Sequence, residues 1–76
     1  MPHVIVKLWT GKSEQQKARL TEEVTKAIMA SLGYGEASVS VSLEEFKPGE
    51  WTKKVYEPDI INARGELYKK PGYGPL

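Results

Sequence analysis

The feature that most constrains this chain is a helix with both ends written into the sequence, set between two stretches that alternate. Ser13-Glu14-Gln15-Gln16 has the form of a capping box, in which the Ser13 side chain accepts the amide three residues on and the Gln16 side chain reaches back. From there Leu20, Val24, Ala27, Ile28 and Leu32 fall on one face at 3.6 residues per turn, which predicts an amphipathic helix. Gly33 and Gly35, around Tyr34, supply the stop, with Gly33 suited to the left-handed position past the last turn. Glu22 and Lys26 stand at i,i+4 on the wet side, in the better orientation for an ion pair.

Ahead of this helix, Pro2, Val4, Val6 and Leu8 are apolar while His3, Ile5, Lys7 and Trp9 are mixed, the period-two pattern of a strand with one firmly buried face. After it, Val39, Val41 and Leu43 alternate with Ser38, Ser40, Ser42 and Glu44, which predicts a second strand. Strand, helix and strand within about 45 residues make a β-α-β unit with parallel strands and a right-handed crossover. Lys47-Pro48-Gly49 reads as a turn, and Trp51 and Val55 at i,i+4 suggest a short helical piece ending near Pro58. Asp59-Ile60-Ile61 reads alternatively as a brief extended piece. Residues 67–76 hold too many Pro and Gly for a regular element, yet Leu67, Tyr68 and Tyr73 are apolar enough to pack. The expected class is α+β, a single domain over 1–76: two parallel strands, one crossover helix and a short helical or irregular C-terminal segment.

A core of this size rarely supplies more than about 3–5 kcal/mol without a staple. There is no cysteine and only one histidine, His3, which excludes disulfides and a Cys/His metal cluster. Association remains, and two strands with one helix leave two sheet edges and a sheet face for a partner subunit to cover. With 11 Lys+Arg against 10 Asp+Glu the net charge is +1, too little to create a field that draws in nucleic acid or anionic membrane. No apolar run approaches the roughly 20 residues of a membrane span, and Met1-Pro2-His3 does not open like a secretory signal. The expected compartment is the cytoplasm.

Few residues are left to carry chemistry. A thiol nucleophile is impossible, a Ser-His-Asp arrangement would have to recruit His3 from the start of a strand, and Gly33-Tyr34-Gly35 follows a helix, the wrong context for a phosphate cradle. Lys53-Lys54 and Lys69-Lys70, beside Tyr56, Tyr68 and Tyr73, read as solvated surface before they read as a nucleic-acid site. Pro2 differs from these. Methionine is normally trimmed before so small a second residue, and the new terminus is then a secondary amine able to act as a base. Proline makes up about 5% of average usage, so roughly one chain in twenty carries it there by chance.

Several residues together narrow this. Pro2 opening a strand, Gly11-Lys12-Ser13 followed by Glu14-Gln15-Gln16-Lys17, a helix ending near Leu32, the strand Val39 to Leu43 and Pro48-Gly49-Glu50-Trp51 resemble the 4-oxalocrotonate tautomerase family. Trp51 through Ile60 and Lys69-Lys70-Pro71-Gly72-Tyr73 resemble its longer bacterial subgroup, the PptA-like phenylpyruvate tautomerases. The resemblance implies cofactor-free keto–enol tautomerisation of a small carboxylate substrate, with Pro2 as the general base. It implies that Lys12 stands where the family has one substrate-binding arginine and Ser40 where it has a second. Lysine keeps the charge without the bidentate fork, and the neutral Ser40 favours a monoacid with an aromatic end over a dicarboxylate. Trp51 falls where the family places an aromatic pocket wall. The family includes dimers and hexamers, and the longer tail favours a homodimer.

His3 is placed to line the same mouth, and each residue also has a plainer role: Trp51 as core packing, Lys12 as a solvated loop lysine, Ser40 as the polar face of a strand, His3 as a half-exposed strand side chain. Two other functions stay open as well, a non-catalytic binding or assembly module that keeps the fold, and a family hydratase or dehalogenase of unsaturated acids. All catalytic versions share one condition. With Met1 retained, the Pro2 nitrogen is an amide without a basic lone pair.

Overall fold

A computed structural model describes residues 1–63, 65 and 67–74. Among them the chain forms two compact units, the first Met1–Phe46 and the second from Lys47 onward.

In the first unit, strand β1 is His3–Trp9, helix α1 is Glu14–Leu32 and strand β2 is Ser40–Phe46. The strands pair in parallel, with His3 opposite Ser40 and Trp9 opposite Phe46. That is the expected β-α-β frame, with β2 set two residues later than the alternation alone suggests. Ser38 is taken into a 3₁₀ turn, Glu36–Ser38, whose bonds from Ser38 N–H to the Gly35 carbonyl (3.0 Å) and from Val39 N–H to the Glu36 carbonyl (3.1 Å) delay the extended backbone.

The two ends of α1 are as the sequence specifies. Gln16 N–H donates to Ser13 Oγ at 3.0 Å and Ser13 N–H to Gln16 Oε1 at 2.9 Å, so two amides that would otherwise lack partners are satisfied reciprocally. At the other end Gly33 has φ 77°, and its N–H donates to the Met29 carbonyl at 3.0 Å. A Cβ there would carry the left-handed penalty, which glycine escapes. Leu20, Val24 and Ile28 are half-buried as expected, but Ala27 and Leu32 are exposed. Lys17, Thr21, Thr25 and Met29 take their place, so the covered stripe lies about one position round the helix from the one the apolar residues mark. The Thr21 and Thr25 hydroxyls are satisfied on the helix itself, donating to the carbonyls four residues back at 2.9 and 2.8 Å.

Register and exposure separate the two faces of the sheet. Val4, Val6 and Leu8 share a face with Val41, Leu43 and Glu45, and this is the face α1 covers, tied to it by the 2.6 Å ion pair from Lys17 to Glu45. The other face carries His3, Ile5, Lys7 and Trp9 beside Ser40, Ser42, Glu44 and Phe46, with Ile5 52% and Trp9 54% exposed.

The second unit departs further from expectation. After a 3₁₀ turn at Pro48–Glu50, residues Thr52–Ile61 form one continuous π-helix. The helical piece therefore does not end near Pro58, and Asp59-Ile60-Ile61 is not extended. Proline lacks an N–H and its ring crowds the carbonyl four residues back in an α-helix. The wider turn moves that carbonyl away, and it closes with Asn62 N–H on the carbonyl of Glu57, five residues back, at 2.9 Å. Val55 and Tyr56 are the buried side chains among the described residues. Of the expected C-terminal tail, Pro75 and Leu76 lie outside the described residues. No described helix is long and apolar enough to cross a membrane.

Candidate active site

Pro2 precedes the first residue of β1 and is half-buried, and its carbonyl accepts the Ser40 N–H at 3.2 Å. That bond extends the parallel ladder by one step and holds Pro2 at the head of the sheet. Directly beside it the side chains of His3 and Ser40 meet across the strands, Nδ1 to Oγ at 2.7 Å, both exposed. Pro2 and Ser40, two of the residues singled out from the sequence, are thus brought together. His3 joins them as a partner that the sequence does not specify, since alternation fixes which face a residue takes and leaves the register between distant strands undetermined.

Met1 is present and 89% exposed at this end. While it is attached, the Pro2 nitrogen is a peptide nitrogen. Its exposure leaves it open to removal.

Lys12 lies elsewhere. It follows Gly11, whose φ of 117° turns the chain between β1 and α1, and so belongs to the opposite end of β1. Seven strand residues at about 3.3 Å each separate the two ends by roughly 20 Å. Within one protomer Lys12 and Pro2 do not meet. Lys12 lines an open apolar hollow of about 200 Å³ with Leu8, Gln16, Lys17 and Leu20. The two lysines there differ. Lys17 is bound to Glu14 at 2.8 Å and to Glu45 at 2.6 Å, and these bonds raise its ammonium above the ordinary lysine range, Glu14 contributing most. Lys12 is exposed and has no ion pair among the described residues, which leaves its charge available to an anion.

Trp51 belongs to the second unit, half-buried at the head of the π-helix. Its Nε1–H donates to Tyr73 Oη at 3.0 Å, and the Tyr73 ring lies 5.7 Å from that of Tyr56, tilted by 36°. Trp51, Thr52, Tyr56, Tyr73 and Gly74 line an apolar hollow of about 350 Å³. Gly74 is fixed there by shape, because a Cβ at this residue would overlap the Tyr56 hydroxyl. The indole lines this hollow and bonds the C-terminal segment through Tyr73. The sequence gives no signal for Tyr56 and Tyr73 as its neighbours beyond their being apolar.

Glu50 precedes Trp51 in the chain. Its carboxylate accepts the Lys47 N–H at 2.9 Å and pairs with Lys54 at 2.7 Å, and the Lys54 bond, then the Lys47 amide, hold it below the ordinary carboxyl range.

With this arrangement in view, the comparisons with known proteins are specific. Residues 2–55 match the family model described as tautomerase enzyme. A probable tautomerase of Xylella fastidiosa is 41% identical over 76 residues, covering 100% of this chain and 93% of the relative. Tautomerase PptA of Cronobacter sakazakii is 38% identical over 74 residues, 96% of this chain and 97% of the relative. Among solved structures, the heterohexamer 4-oxalocrotonate tautomerase from Chloroflexus aurantiacus superposes with a TM-score of 0.66 at 28% identity, covering 71% of this chain and 87% of that one. A β-α-β frame headed by proline, matched over nearly its full length by tautomerases, places the chain among these enzymes: it belongs to the tautomerase family, in the PptA-like subgroup.

Proposed function

We propose that this chain, once Met1 is removed, catalyses cofactor-independent keto–enol tautomerisation of a small 2-keto acid, with the Pro2 nitrogen as general base and phenylpyruvate as a representative substrate. The lone pair takes the proton from carbon 3, the C2–C3 double bond forms, and the C2 carbonyl becomes an enolate oxygen that is then protonated. The reverse path returns the proton to carbon. Apolar surroundings penalise the charged form of an amine and so bring its basicity toward the operating pH, where proton transfer is most effective.

The observation that carries this reading is the Ser40 amide on the Pro2 carbonyl, which anchors the residue bearing the base one step from the His3–Ser40 pair. Ser40 then presents at the site a hydroxyl it shares with His3, Lys12 a cation for carboxylate or enolate, and Trp51 the apolar wall for an aromatic end. Because Lys12 stands at the far end of β1 from Pro2, it has to come from a second copy. We therefore propose a homo-oligomer, a dimer in keeping with the longer tail, acting as a single 1–76 domain in the cytoplasm.

Intact mass comes first: a chain not lighter by one methionine cannot work this way. The processed protein should tautomerise phenylpyruvate well above buffer, and Pro2→Ala should lower kcat/KM by about 10²- to 10⁴-fold, the usual worth of a positioned base. A processed protein with no rate above buffer would turn the reading toward a binding module. Hydration of an acrylate with no effect on the enol would turn it toward the other family reaction.

A further inference from the structure

The pair next to Pro2 has a property that neither member has alone. A serine hydroxyl has one proton to donate. When His3 is neutral with its proton on Nε2, the Ser40 O–H is spent on Nδ1 across the 2.7 Å contact, and the pair offers a ligand the neutral Nε2–H but no positive charge. When the imidazole carries both protons, Nδ1–H donates to Ser40 Oγ instead. The hydroxyl proton is then released outward, and Nε2–H and a full positive charge stand beside it. We propose that His3, through its bond to Ser40, is a specificity-determining residue of this site, a protonation-controlled anion receptor that admits a second carboxylate of the substrate.

This rests on the reading of Pro2 and Ser40 as one site. Both side chains of the pair are exposed, so a ligand carboxylate can reach them. On the same sheet face the nearest charged side chains are Lys7 and Glu44, opposite one another four residues along. At about 3.3 Å per residue they are roughly 13 Å away, beyond the ~8 Å screening length of physiological salt. Glu36 lies four residues before Ser40 at the start of the 3₁₀ turn, and the chain's amino group lies one residue before His3 after processing. The charges of α1 stand across the sheet, on the face that Lys17 and Glu45 join. Histidine is the side chain whose charge ordinarily changes between about pH 5 and 8.

The test is a ratio. Using the processed protein, kcat/KM is measured from pH 5.5 to 8 for oxaloacetate, a 2-keto dicarboxylic acid, and for phenylpyruvate, a monoacid. Carboxylic acids ordinarily titrate near about 4, so both substrates keep their charge across the range. The titration of the base is common to both and cancels in the ratio. The expected result is a ratio of oxaloacetate to phenylpyruvate that rises at least tenfold as pH falls, and that becomes flat in His3→Gln, whose amide bonds Ser40 but never charges. A flat ratio in the unsubstituted enzyme, with both substrates turned over in a Pro2-dependent way, overturns the proposal and leaves the Pro2 reading standing.

Because His3 is the only histidine, its ring C–H signals in NMR are unambiguous. Added succinate should move their titration midpoint upward, by about one pH unit for a tenfold preference for the charged form. This arm decides the matter without turnover: a midpoint that succinate leaves unmoved overturns the proposal even if the chain is not a catalyst.

Discussion

At the scale of single residues, the positions that matter most are those where one side chain satisfies a backbone group that nothing else reaches. Ser13 is the clearest. Its hydroxyl accepts the Gln16 amide, and the Gln16 side chain returns the bond. Ser13→Ala removes one acceptor at the start of α1 and should cost about 1 kcal/mol, within the roughly 0.5–2 kcal/mol range for such caps. For a domain of this size that is a fall in Tm of about 4–8 °C, readable by thermal unfolding. Ser13→Asp, which keeps an acceptor and adds charge favourable to a helix N-terminus, should recover most of it.

At the scale of elements, the turn at Pro48–Glu50 and the π-helix after it are joined by one carboxylate. Glu50 is held below its ordinary value of 4.5 by Lys54 and the Lys47 amide, so its bonds stabilise the folded chain above that value. The contribution is lost as pH falls through the lower, folded value. Thermal unfolding followed between pH 3 and 6 should therefore show a loss of Tm on the acid side that is smaller in Glu50→Gln. Lys17 works with the opposite sign. Its raised ammonium contributes below the ordinary lysine value of 10.5, and that contribution disappears only as pH rises through the higher folded value.

The elements also show what the sequence could and could not convey. The capping box, the Gly33 stop and the period-two strands were legible because each is fixed by residues within one turn or a few positions of one another. The pairing of His3 with Ser40 spans 37 residues and depends on how the crossover helix seats on the sheet, which no local pattern records. Pro58 misled for a related reason. Proline ends an α-helix, and the reading of a stop near it assumed an α-helical spacing that the π-helix does not have. Pro2, Ser40, Lys12 and Trp51 were legible as candidates through family resemblance. That Lys12 sits at the other end of β1 became visible only with the backbone in place.

At the scale of the molecule, the first unit has no fully buried side chain among its described residues, and the sheet face bearing Ile5 and Trp9 is open. Apolar surface of this kind is what a second copy covers. Ile5→Glu should disturb the protomer little, since exposed positions usually tolerate exchange within about 0.5 kcal/mol. It should lower the sedimentation coefficient at a given concentration, and activity should fall in parallel if Lys12 comes from a neighbour. An unchanged sedimentation coefficient would place the contact on another surface.

Each compact unit carries one tryptophan. Trp9 stands on the open sheet face, and Trp51 is half-buried with its indole N–H bonded to Tyr73. The chain thus contains two optical labels in different surroundings, one for each unit. With Trp9 replaced by phenylalanine, ultraviolet emission becomes a private channel on the aromatic hollow and its C-terminal strap. With Trp51 replaced, the same light reports on the β-α-β frame alone, and the order in which the two units come apart can be read without any added dye.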